Sequence, residues 1–145
     1  MIRQNVLLAA LAHGASLGRA FRPVHVQKIM FLLDQKIPDV FDQNSRYHFA
    51  PYDYGPFDKG VYDDLDVLEL SGDVEIDRES GYGYRLYQAT PQGISKGTAY
   101  LADMTPAHRD FVRRTVNLLL PLGFRTLVTA IYRHYPEMKQ NSVFR

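Results

Sequence analysis

The sequence predicts an α+β, mainly helical domain with a winged-helix-like core, a β-hairpin wing and additional C-terminal helices. Three observations predict this class. Apolar residues recur at helical spacing along most of the chain, residues 73–77 instead alternate polar and apolar, and Gly or Pro punctuates nearly every junction.

The first helix is expected from Ile2 to His13, with Ile2, Val6, Leu7, Ala10 and Leu11 on one stripe and Gly14 and Gly18 closing it. The second opens at Pro23, a good first-turn residue, and Pro38 stops it. Its face is Val26, Ile29, Met30, Leu33 and Ile37. Residues 39–56 read as a connector with a short strand over Arg46–Ala50 that Pro51 ends, followed by a turn at Gly55-Pro56. The third helix is expected from Phe57 to Ser71, carrying Val61, Leu65 and Leu68 inward, with Gly72 as its C′ residue.

A hairpin follows: strand 73–77, a loop over Arg78–Gly83 and a return over 84–88. Thr90-Pro91 and Thr105-Pro106 each supply an N-cap and an N1 proline for a further helix. The last helix starts at Phe124 and ends before Pro136. A single domain over 1–136 is expected, with its core at about 24–104, C-terminal helices over 105–136 and a tail over 137–145. In winged-helix terms the third helix would be the recognition helix and the hairpin the wing.

Composition narrows the function classes. The 145 residues contain no cysteine, which excludes disulfides, thiolate nucleophiles and sulfur-ligated zinc, and fits a cytoplasmic protein. The first eighteen residues lack the sustained apolar region and cleavage site of a signal peptide, and no stretch is apolar enough for a membrane span. The five histidines, at 13, 25, 48, 108 and 134, show no metal-ligand spacing, and no phosphate loop, dinucleotide fingerprint or nucleophile elbow is present. Asp63 and Asp64 are adjacent and point about 100° apart on a helix, a poor acid/base pair. No catalytic residue, metal or cofactor is therefore expected, and the chain reads as a binding protein.

Tyr54-Gly55-Pro56-Phe57, then Val61-Tyr62-Asp63-Asp64-Leu65, Leu68 and Gly72, resemble the core signature of SocA-like (Panacea) domains, and more closely the YwgA-like bacterial proteins. Tyr84, Leu86, Thr90 and Gly93 are similar to the strand-to-helix end of that pattern, and Tyr132 with Tyr135-Pro136 fits the YwgA-like group. The resemblance covers roughly residues 24–136. Where the Panacea pattern carries Leu-Gln-Lys-Leu followed by Tyr, this chain has Val26-Gln27-Lys28-Ile29 with Phe31, and Gly55-Pro56-Phe57 stands where Gly-Pro-Val is usual. The resemblance implies an antitoxin-like or adaptor protein, bacterial or phage-borne, that acts by binding another protein without catalysis. The alternative is a winged-helix DNA-binding transcription regulator.

Charge separates the two. Residues 57–72 hold Asp58, Asp63, Asp64, Asp66 and Glu69 against Lys59, a net charge of −4. DNA affinity rests on Lys and Arg neutralising phosphates, so readout through this helix is disfavoured. The acids are either a solvated face or a surface for a basic partner such as a toxin. The aromatic turn is either packing or a groove for a partner segment. The candidate partner-binding residues are thus Tyr52, Tyr54, Phe57, Asp58, Tyr62, Asp63 and Asp66. Arg109, Arg113 and Arg114 form the candidate anion or nucleic-acid contact, since positions 109 and 113 lie one turn apart. The adjacent Leu118-Leu119-Leu120 cannot share one narrow stripe, and motivates a homodimer through the C-terminal helices.

Overall fold

The computed structural model describes residues 1–144. The chain forms α1 (Arg3–Ser16), α2 (Pro23–Lys36), β1 (Ala50–Tyr52), β2 (Gly55–Phe57), α3 (Lys59–Leu70), β3 (Val74–Asp77), β4 (Leu86–Ala89), α4 (Pro91–Asp103), α5 (Pro106–Leu119) and α6 (Phe124–His134). Short 3₁₀ turns lie at Pro38–Val40, Gln43–Ser45 and Pro136–Lys139. The architecture is α+β and mainly helical, with two small antiparallel hairpins.

α1 is the central helix. Every residue from Val6 to Ala12 is buried, including Leu8, Ala9 and Ala12 outside the expected stripe, whereas Ile2 is exposed. A helix apolar all round belongs in a core. α4 lies against it through Gly97, where a Cβ would stand 2.5 Å from the Leu8 carbonyl oxygen and 2.6 Å from the Ala12 Cβ.

The capped helices begin where local chemistry dictates. The Thr90 and Thr105 hydroxyls accept the Gly93 and His108 amides at 3.1 and 3.2 Å. α3 begins two residues later than the spacing suggested, because Asp58 is its N-cap and accepts the Gly60 amide at 2.7 Å. Its far end closes in a Schellman motif. Gly72 at φ +84° donates to Glu69 O and Asp73 donates to Leu68 O.

The sheets depart from expectation in two places. The connector strand is Ala50–Tyr52, not 46–50, and Pro51 lies within it, opposite Pro56. Two residues without N–H groups on one rung suit a pair that exchanges no ladder hydrogen bonds. The Asp53-Tyr54 turn then reverses the chain through Gly55, whose φ of +101° favours glycine. The β3–β4 hairpin gains its third strand from a single residue before α2. Phe21 donates to Tyr87 O at 2.7 Å and accepts from the Tyr87 amide at 2.8 Å.

At the C-terminal end Leu120 is buried, Leu119 half-buried and Leu118 exposed, so the three leucines divide between the core and the surface. Residues 141–144 return to the β1–β2 turn. The Val143 amide donates to Asp53 O at 3.0 Å, and the Tyr132 hydroxyl donates to Ser142 Oγ at 2.6 Å.

Gly97→Ala is expected to lower stability by about 2 kcal/mol. The overpacking of α1 against α4 outweighs a helix-propensity gain of about 1 kcal/mol. Urea unfolding of the two proteins at one pH checks this.

Candidate functional site

The aromatic turn becomes one wall of a groove of about 600 Å³. Tyr52, Tyr54 and Phe57 come from the β1–β2 hairpin, and Tyr62 from the first turns of α3. Arg22, Gln27 and Lys28 come from α2, Tyr84 from the β3–β4 loop and Phe124 from the start of α6. The rings are interlocked. Tyr52 stacks on Phe57 at 4.9 Å between centroids, Phe57 meets Tyr62 edge-on at 5.6 Å, and Tyr54 meets Phe124 edge-on at 5.1 Å. The Arg22 guanidinium lies over the Tyr84 ring at 5.3 Å. Tyr52 and Tyr54 remain 54% and 46% exposed, so the hairpin presents aromatic surface rather than burying it.

Buried polar side chains of α2 hold this wall. The Gln27 amide makes a two-way bond with the Asp58 backbone: Nε2 donates to Asp58 O at 3.0 Å, and Oε1 accepts the Asp58 amide at 3.0 Å. Lys28 Nζ donates to Pro56 O at 3.2 Å. Asp34 accepts Arg46 Nε at 3.0 Å further along the same helix. His25, at the helix start, bonds through Nε2 to Leu122 O at 2.8 Å, and burial lowers its pKa. Together these contacts tie the connector and the α5–α6 loop to one helix.

Lys28 is the unusual member of this set. It is 3% exposed, and among the described residues it makes no ion pair. Burial alone lowers its pKa to about 8. Tyr62 is pushed up to about 12, first by burial and then by its neighbour Tyr87.

The acids of α3 separate into different roles. Asp58 is tied up as the N-cap and also accepts the His48 amide. Asp64 is buried, receives Arg3 Nε at 2.9 Å and Gln4 Nε2 at 3.1 Å, and accepts the Tyr47 hydroxyl at 2.7 Å. Burial and the Asp64 carboxylate both push the Tyr47 phenol up. Asp63 pairs with Lys59 at 3.5 Å, and Glu69 takes a two-pronged bond from Arg78 at 2.7 and 2.9 Å. Asp63 and Asp66 are exposed but do not line the groove. The −4 of the helix sequence is thus partly offset by Arg3 and Arg78 from outside it, and no acidic face converges on the aromatic wall.

The expected arginine cradle does not assemble either. Arg109 caps the end of α4, donating to Leu101 O, Ala102 O and Met104 O at 3.1–3.2 Å. Arg114 pairs with Asp110 at 2.9 Å, and Arg113 is left exposed. Helical spacing brought Arg109 and Arg113 near each other, but the α4 carbonyls hold the first.

Arg22, Lys28, Tyr84 and Phe124 were not anticipated in the site. Lys28 falls off the apolar stripe and looks like a solvent residue. No protein-family model and no curated protein matches the chain. Among the described residues no cluster of His, Asp or Glu is placed to hold a metal ion, and no helix is long and apolar enough to cross a membrane.

The Lys28 pKa sets a sign for stability against pH. Its folded value, about 8, lies below the ordinary 10.5, so between those values the unfolded chain holds a proton that the folded chain has released. Stability rises with pH across this window, and the cost of burying the charge is present in full below pH 8. Wild type should gain about 2–3 kcal/mol on Lys28→Met between pH 7 and pH 10. Denaturant unfolding of both proteins at the two pH values measures the difference. Parallel curves would mean that Lys28 titrates normally.

Proposed function

We propose that this chain is a protein-binding module, of the antitoxin or adaptor kind, that receives a segment of its partner in the aromatic groove. The observation that carries this reading is the exposure of Tyr52 and Tyr54 at the mouth of a groove of about 600 Å³ whose wall is otherwise fixed. A contiguous exposed patch of aromatic rings beside a cavity marks an interaction site, and Tyr is enriched where binding energy concentrates. The fixed hairpin lowers the ordering cost of binding, because Gln27 and Lys28 already hold its base. Phe57 and Tyr62, which also line the groove, offer further aromatic surface to an incoming side chain.

The second reading is a winged-helix regulator, supported by the Phe21 bridge, which adds a third strand to the β3–β4 hairpin directly after α3. The exposed face of α3 argues for a protein as its contact. It carries Asp63 and Asp66 beside Val67 and Leu70, with Lys59 its one cation and no Arg, Asn or Gln.

Co-expression with the product of the adjacent gene is expected to give a stable complex. Tyr54→Ala should weaken it by at least about tenfold while leaving the melting temperature nearly unchanged. A complex indifferent to both Tyr52→Ala and Tyr54→Ala would contradict the groove. Random-sequence duplex DNA at low salt should show no detectable binding at micromolar protein, and salt-dependent binding there would favour the regulator.

A further inference from the structure

We infer that the groove recognises an acidic side chain on the partner segment, a Glu or Asp flanked by apolar or aromatic residues, and that Lys28 is the anchor that receives its carboxylate. This deepens the groove reading proposed above and rests on it.

The inference starts from unmatched charge. An ammonium group can donate three hydrogen bonds, and the hydrogen bond found for Lys28 goes to the Pro56 carbonyl. Burying such a group without a counter-charge is costly, and a folded chain ordinarily supplies a carboxylate. This chain supplies one elsewhere. Asp64 has Arg3, Asp34 has Arg46 and Asp73 has Lys96, so its other buried acids are each paired with a cation. Lys28 is the buried charge left without one among the described residues, and it lines the groove.

The rest of the lining fits the same guest. Arg22 adds a second cation that is engaged with the Tyr84 ring rather than with an acid. Asp53 is the single acid of the lining, so its formal balance is positive. Six aromatic side chains supply the apolar part: Tyr52, Tyr54, Phe57, Tyr62, Tyr84 and Phe124. A free carboxylate without apolar neighbours would leave those rings in water, and an apolar segment without an acid would leave Lys28 unmatched. An acidic residue between apolar ones satisfies both. The burial that lowers the Lys28 pKa also makes the site responsive, because an arriving carboxylate restores the proton.

The test pans a library of random linear peptides, displayed with blocked C-termini, against the full chain. Peptides whose binding is lost in Tyr54→Ala are retained as groove ligands. They are expected to carry Glu or Asp beside aromatic or aliphatic residues. Replacing that Glu by Gln in the peptide should weaken binding to wild type by at least about tenfold, but by less than about twofold to Lys28→Met. Groove-dependent peptides without an acid, or with equal losses on both proteins, overturn the role of Lys28 and leave the groove reading standing. No groove-dependent peptide at all overturns both. Tighter, Lys28-dependent binding of an oligothymidylate run in parallel assigns the site to phosphate and overturns the carboxylate. If Lys28→Met does not fold, calorimetry on wild type decides. Binding of the acidic peptide at pH 8 should take up about half a proton, which a guanidinium such as that of Arg22 does not do. Absence of uptake overturns the anchor.

Discussion

The two-way bond between the Gln27 side chain and the Asp58 backbone is the contact on which the groove depends. It works as a short piece of ladder supplied by a side chain, and it fixes the junction of β2 and α3 to a helix that is already in the core. Lys28 then holds Pro56 and Asp34 holds Arg46, so three polar residues on one helix anchor a connector that has little regular structure of its own. Asp58 in turn caps α3 and bonds to the His48 amide. Loss of the Gln27 clamp would release the α3 cap, the hairpin base and the aromatic wall together. Buried polar contacts of this kind add little net stability but choose one arrangement among several compact ones.

Charge in this molecule is arranged differently from what a count along the chain implies. Three acids of α3, Asp64, Asp63 and Glu69, are drawn inward or sideways to Arg3, Lys59 and Arg78. The cations at the groove, Lys28 and Arg22, have no such partners among the described residues. The charge of the helix that looked ready to attract a basic protein is partly matched within the chain, and the formal balance of the groove lining is positive. The rings around it keep that charge in a partly dry setting, where a single ion pair has more effect than on an open surface.

Much of the helical framework was legible in the sequence because it rests on local chemistry. Thr90-Pro91 and Thr105-Pro106 mark helix starts by their own hydroxyls and rings, and Gly72 marks a stop by its positive φ. Four of the groove's six aromatic residues, Tyr52, Tyr54, Phe57 and Tyr62, were legible as a cluster because they lie close together along the chain, whereas Tyr84 and Phe124 reach the groove from distant elements. What was not legible depends on partners distant along the chain. Phe21 joins the hairpin through one residue, too short for any period to reveal. Pro51 looked like the end of a strand, and only its register opposite Pro56 lets the strand run through it. Arg3 neutralises an acid sixty-one positions away. Arg109 was drawn from its expected anion site by the carbonyls at the end of α4. Lys28 carries no sequence signal at all, because its burial comes from a hairpin and a helix that fold over it later in the chain.

A structure of the chain bound to a groove-dependent peptide tests the central claim most directly. The account predicts the peptide lying between the β1–β2 hairpin and the β3–β4 loop, its side chains against Tyr54, Phe57 and Tyr62, and a carboxylate within hydrogen-bond distance of Lys28 Nζ. A peptide seated instead on the outer face of α3, along Asp63 and Asp66, with the groove empty, would contradict it.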